Sequence, residues 1–108
     1  MRAIVGIRGE GRQIEQTEDG ARPTVWFDSL RQVAGVLSEE NRALLRIIEQ
    51  HHPRTVLELS SLSGRAPSNL SRTLKTLEEH GLVRLHRSSE SRAVRPEAVS
   101  TEFLILVG

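Results

Sequence analysis

Leucines recur at helical spacing in the second half of the chain. On a helix that turns by about 100° per residue they define one apolar stripe, formed by Ala66, Leu70, Leu74 and Leu77. The opposite side of that helix carries Ser68, Arg72, Lys75 and Thr76. Gly64 and Gly81 bracket the segment as residues able to turn left-handed, and Pro67 suits a first turn. The pattern predicts a helix over residues 66–80 whose polar face points away from the core.

Three shorter helices are predicted before it, each from a capping signal. Side chains suited to an N-cap stand at Asp28 or Ser29 for the first helix, at Ser38 for the second and at Thr55 for the third. The apolar spacing then predicts helices from residue 29 to about 35, 38 to about 51, and 55 to 62. Pro53 prevents the second helix from continuing. The first of these helices is expected to bury Leu30, Val33, Ala34 and Leu37.

Strand signals flank the helices on both sides. Residues 24–27 (TVWF) combine β-branched and aromatic side chains and predict a short strand. Residues 82–86 and 92–95 predict a hairpin, joined by a serine-rich turn, and Leu82 is placed to fold back on Leu77. Pro96 is expected at an exposed edge or end of this hairpin.

The chain ends in an apolar run, Phe103 to Val107, which predicts a strand covered on both faces. We expect it to pair with residues 24–27 or with residues 3–7, in a sheet at a homodimer interface. Burial within one subunit is the alternative.

A length of 108 residues fits one small domain with a modest core. We expect residues 1–23 to form an N-terminal strand and a polar arm, with the arm over residues 10–23, and residues 24–108 to form the main domain with dimerisation elements at both ends. The chain lacks cysteine and shows no signal-peptide pattern, which favours a cytoplasmic protein without a membrane partner.

Charge is distributed unevenly although the net charge is only +1. Seven cations and three acids lie between residues 65 and 96, whereas five arginines and eight acids lie between residues 10 and 50. A positive face of this kind favours binding to a polyanion, because neutralised phosphates release counterions. An ordinary solvated face is the alternative.

Together the elements predict an α+β fold, a winged helix-turn-helix with a three-helix core and a β-hairpin wing, an extra N-terminal helix and flanking N- and C-terminal strands. Helix 66–80 would then read the major groove of double-stranded DNA, and wing 82–96 would contact phosphates or the minor groove. The candidate DNA-binding residues are Arg65, Ser68, Asn69, Ser71, Arg72, Lys75, Thr76, Arg87, Arg92 and Arg95.

These residues have different expected roles. Arg72 and Lys75 are the leading candidates for guanine or phosphate contacts, and Arg65 for a backbone phosphate. Asn69 either reads adenine or makes a local hydrogen bond. The wing arginines either contact DNA or only prevent edge-to-edge pairing of the hairpin.

Four segments carry a resemblance to a known family: residues 26–30 (WFDSL), 36–45 (VLSEENRALL), 64–77 (GRAPSNLSRTLKTL) and 81–83 (GLV). They resemble prokaryotic MarR-like winged helix-turn-helix transcriptional regulators, and within these a branch of DNA-binding proteins. The resemblance implies a dimeric, cytoplasmic DNA-binding regulator, often a repressor.

Other functions find less support in the sequence. His51 and His52 are adjacent and diverge on a helix, so they do not form a metal pair, and no phosphate-binding loop or catalytic motif is present. We therefore expect neither enzymatic activity nor a cofactor. Two alternatives are an antitoxin-type autorepressor, whose arm over residues 10–23 binds a toxin protein, and a winged-helix module that binds another protein.

Overall fold

A computed structural model describes residues 2–8 and 14–107 of the chain. Within these ranges it has an α+β fold of four helices and five strands. In chain order the elements are β1 (Arg2–Ile7), β2 (Val25–Phe27), α1 (Leu30–Val36), α2 (Glu39–His51), α3 (Val56–Ser63), α4 (Pro67–Glu79), β3 (Val83–Arg87), β4 (Val94–Ala98) and β5 (Glu102–Ile105). The predicted α+β class is confirmed.

The predicted capping residues begin the first three helices. Side-chain oxygens accept backbone N–H groups three residues on, at 3.0 Å for Ser29, 3.2 Å for Ser38 and 3.0 Å for Thr55. These bonds satisfy N–H groups that have no partner inside the helix. The helix α1 ends at Val36, one residue beyond the predicted end, and of its expected apolar side only Val33 and Leu37 are buried.

Both ends of the chain meet in one parallel sheet with strand order β2-β1-β5. Val5 of β1 is paired with Val25 on one side and with Ile105 on the other. The predicted pairing of the C-terminal run with residues 3–7 is therefore confirmed, and pairing with residues 24–27 is wrong because β1 lies between the two strands. Within one chain the C-terminal apolar run is not fully covered, since Ile105 at the end of β5 is 36% exposed and Val107 beyond it is 55% exposed. The expected cover on both faces is not provided by the single chain.

The strands β3 and β4 form a two-stranded antiparallel hairpin, which we call the hairpin. Pro96 lies in the middle of β4, opposite Leu85, and is buried. The edge position predicted for this proline is confirmed, since β4 is an edge strand of the two-stranded hairpin, but the predicted exposure is wrong because β4 contacts α2 and α3.

The core lies between the helices and extends to the parallel sheet. The side chains with at most 1% exposure include Leu44, Leu45, Ile48, Leu59, Leu70, Leu74, Leu77, Val5 and Phe27. The Phe27 ring stacks on His80, with 4.4 Å between ring centroids, and so joins β2 to the end of α4. Ala66 is exposed rather than part of the apolar stripe, because its extended backbone (φ −64°, ψ 143°) places it before the helix.

Residues 10–13 of the predicted polar arm lie outside the described residues. Residues 14–23 contain neither helix nor strand, as predicted, but Thr17 and Ala21 close a turn: the Thr17 N–H donates to the Ala21 carbonyl at 2.8 Å. The division at residue 23 stays a prediction. None of the described helices is long and apolar enough to cross a membrane.

Candidate functional site

The polar side of α4 is open to solvent. Leu70, Leu74 and Leu77 fix the other side of the helix in the core, with at most 1% exposure. The predicted contact residues on α4 are all exposed: Ser68, Asn69, Ser71, Arg72, Lys75 and Thr76. We refer to Ser68, Arg72, Lys75 and Thr76 as the cationic flank. The helix α4 therefore presents two cations and four hydroxyl or amide side chains outward.

The start of α4 is held by the preceding helix. Gly64 closes α3 with a left-handed backbone (φ 74°). The Ser60 hydroxyl then donates to the Arg65 carbonyl at 2.6 Å, and the Arg65 N–H donates to Ser63 Oγ at 3.2 Å. Pro67 occupies the first turn, as predicted. These bonds fix the short turn between α3 and α4.

The end of α4 is a Schellman motif. Gly81 has a left-handed backbone (φ 75°), and its N–H donates to the Glu78 carbonyl at 3.0 Å. The Leu82 N–H donates to the Leu77 carbonyl at 2.8 Å. This is the predicted folding back of Leu82, and it fixes the path from α4 into β3.

Arg65 lies in a hydrogen-bond network rather than reaching outward. Its guanidinium donates to Asn69 Oδ1 from Nε (2.9 Å) and Nη2 (2.8 Å), to Thr73 Oγ1 from Nη2 (2.8 Å), and to Asn41 Oδ1 from Nη1 (3.2 Å). These bonds use four of the five N–H donors that arginine has. Arg65 therefore has at most one N–H donor left for the phosphate contact that the sequence predicted. For Asn69 two roles were predicted, and one of them, a hydrogen bond within the chain, is present.

The hairpin brings further arginines near α4. Arg87 Nη1 lies 3.3 Å from Glu78 Oε2, so this predicted contact residue is paired across to α4. A groove of about 320 Å³ lies beside the two elements and is lined by Ser71, Lys75, Glu78 and Arg87 together with apolar side chains. Arg92 and Arg95 are exposed, Arg95 on β4 and Arg92 just before it.

One carboxylate lies among the hairpin cations. Glu97 Oε1 is 3.0 Å from His86 Nε2 and 3.8 Å from Arg84 Nη1. The hydrogen bond from His86 is the main cause that lowers the pKa of Glu97 below its usual range, and the charges of His86, Arg84 and Arg95 lower it further. Glu97 is therefore ionised near neutral pH and offsets part of the positive charge of the hairpin.

Sequence patterns missed three features of this surface. Asn41 supports Arg65 from α2 across 24 positions of the chain, and no local pattern signals such a contact. Thr73 follows Arg65 and Asn69 at helical spacing, which is a signal that the sequence does contain. Glu79 is exposed on the last turn of α4, four residues after Lys75, and limits the cationic flank at that end.

The described residues hold no cluster of three His, Asp or Glu side chains that could bind a metal ion. His51 and His52 are exposed at the end of α2. The expected lack of a cofactor stays a prediction.

Comparison with known proteins finds one relationship. No curated protein and no solved structure gives a significant match to the chain. The sequence model of the HVO_A0114 family matches residues 36–104, a range that runs from the end of α1 into β5 and includes α4 and the hairpin. Because this match covers more than half of the 108 residues, the chain belongs to the HVO_A0114 family.

Proposed function

We propose that the chain is a sequence-specific regulator of transcription that binds double-stranded DNA as a winged helix-turn-helix. The observation that carries the proposal is the exposed cationic flank on α4, opposite three leucines with at most 1% exposure. A helix held this way can enter the major groove without losing its own packing. The sequence resemblance to MarR-like regulators supports the same function, with repression as the mode of action.

In this proposal α3 is the positioning helix and α4 the recognition helix. Arg72 donates two hydrogen bonds to guanine O6 and N7, and Lys75 contacts guanine or phosphate. Ser68, Ser71 and Thr76 make shorter contacts, while Arg65 orients the start of α4 instead of serving mainly as a phosphate ligand. The network around Arg65 supports this last role.

The hairpin is the wing in this proposal. Arg87, Arg92 and Arg95 lie on it or beside it, and arginine suits both phosphates and a narrow minor groove. Arg87 also holds the wing against α4 through Glu78, which would keep both elements in one orientation toward DNA.

The test is titration of duplexes taken from the DNA upstream of the gene, at several salt concentrations. We expect Arg72→Ala to weaken binding by about tenfold or more, which is the range for loss of one bidentate base contact. Lys75→Ala should weaken binding and, where it removes a phosphate contact, reduce the slope of log K against log salt by about 1.

The control is Arg22→Ala, which removes the same charge from an exposed position that precedes β2 and belongs to neither α4 nor the hairpin. It should leave affinity and salt slope close to those of the unmodified chain. Equal weakening by Arg22→Ala would mean that general charge and not the cationic flank drives binding. Absence of salt-sensitive duplex binding by the unmodified chain would overturn the proposed function.

A further inference from the structure

The hydrogen bonds of Arg65 determine which way the amide of Asn69 points. The guanidinium has N–H donors only, so the atom that faces it must be the amide oxygen. Nε and Nη2 lie 2.9 and 2.8 Å from Oδ1 of Asn69. Two donors on one carbonyl oxygen occupy both of its lone pairs. The nitrogen of this exposed amide is the part left for a ligand.

Arg65 is itself held on several sides. Its Nη2 donates to Thr73 Oγ1 at 2.8 Å, and its Nη1 donates to Asn41 Oδ1 at 3.2 Å. The Asn41 amide is oriented in turn, because its Nδ2 donates to the Val36 carbonyl at 3.0 Å. Since the Arg65 backbone is also bonded to α3, the guanidinium is fixed before any ligand arrives.

Bidentate reading of adenine needs an amide that both accepts from N6 and donates to N7. Because Arg65 occupies the amide oxygen of Asn69, this side chain can offer a base only its N–H donors. The major-groove edge of guanine presents two acceptors, O6 and N7, whereas the N6 amino group of adenine would oppose another donor.

We propose that Asn69 acts as a donor-only residue that selects guanine over adenine, and that Arg65 is the positioning residue which imposes this choice. The inference rests on the proposed function, because it needs the first turns of α4 to reach a base edge. The proposed guanine contact replaces the adenine contact that the sequence predicted as one role of Asn69.

The test is selection of bound duplexes from a randomised pool by the unmodified chain, Asn69→Ala and Arg65→Met. The unmodified chain should favour guanine over adenine by about tenfold at one position, which is within the discrimination of a good base contact. Asn69→Ala should remove the preference at that position alone. Arg65→Met frees the oxygen of Asn69, so the same position should shift toward adenine.

Asn69→Asp keeps an oxygen facing Arg65 and nearly the same shape, but it removes the two amide donors. This variant keeps the test decisive if Arg65→Met does not fold, which circular dichroism would reveal. Guanine preference at the position should be lost in Asn69→Asp, whatever the general weakening that the added negative charge causes.

The outcomes separate the two proposals. If the unmodified chain selects no duplex, the proposed function fails and this inference fails with it. If it selects a motif but Asn69→Ala alters no position, or alters one that favours a base other than guanine, this inference alone is overturned. Retained guanine preference in Asn69→Asp overturns it as well.

Discussion

Gly6 on β1 lies directly beneath the indole ring of Trp26 on β2. A methyl group at Gly6 would lie 2.5 Å from Cζ3 and 2.7 Å from Cε3 of that ring. Gly6 is buried and Trp26 half-buried, so the ring has to move for any larger residue to fit. We expect Gly6→Ala to lower the free energy of unfolding by about 1–3 kcal/mol, the usual cost of overpacking, as measured by urea denaturation.

Gly35 on α1 provides the matched control, since outside its chain neighbours and the helix backbone around it a methyl group there meets no described atom within 4 Å. Gly35→Ala should raise stability by up to about 1 kcal/mol, because alanine favours a helix over glycine. The loss in Gly6→Ala should also shrink when Trp26→Leu is present. An unchanged loss in that double variant would contradict the role given to the indole ring.

The helix α4 is terminated by a glycine with a left-handed backbone, Gly81. A methyl group at Gly81 would meet no described atom within 4 Å, so the effect of Gly81→Ala comes from the left-handed backbone alone. We expect a loss of about 1 kcal/mol in the free energy of unfolding, measured by the same denaturation. Gly81→Asn should lose less, because asparagine tolerates this conformation better. Equal losses in both variants would point to a cause other than backbone strain.

The ends of the helices could be predicted because their signals are local. Ser38, Thr55 and Gly81 each act within a few residues of their partners, so the spacing in the sequence contains the whole interaction. Pairing of β5 with β1 joins residues about a hundred positions apart, and the apolar run alone left its partner open. The Asn41 contact with Arg65 and the burial of Pro96 likewise depend on how distant elements pack.

The whole molecule has an apolar end that the single chain leaves uncovered. Leu30 of α1 is 51% exposed, Ile105 of β5 is 36% exposed and Val107 beyond it is 55% exposed. Leu30, Phe103 and Ile105 line one groove of about 520 Å³, which Arg42, Arg46, Thr101 and Glu102 also line. Parallel sheets are normally covered on both faces, and β5 is an edge strand of this sheet. We therefore propose that a second copy of the chain covers this end, as the sequence-based expectation of a homodimer interface at this sheet would have it.

Two carboxylates introduced at this end should separate the two copies of the chain without unfolding either one. We expect the unmodified chain of 12.1 kDa to sediment as a dimer, and Ile105→Glu with Val107→Glu to sediment at the mass of one chain. Both positions are exposed in the single chain, so the new carboxylates stay hydrated there and are disfavoured only against a partner. Leu57→Glu on α3 is the control, since Leu57 is 70% exposed but lies outside this end. It should remain dimeric.

Duplex affinity should fall together with dimerisation, because two linked recognition helices bind two half-sites at once. If the unmodified chain sediments as a monomer, the proposed dimer is wrong and each α4 binds DNA alone.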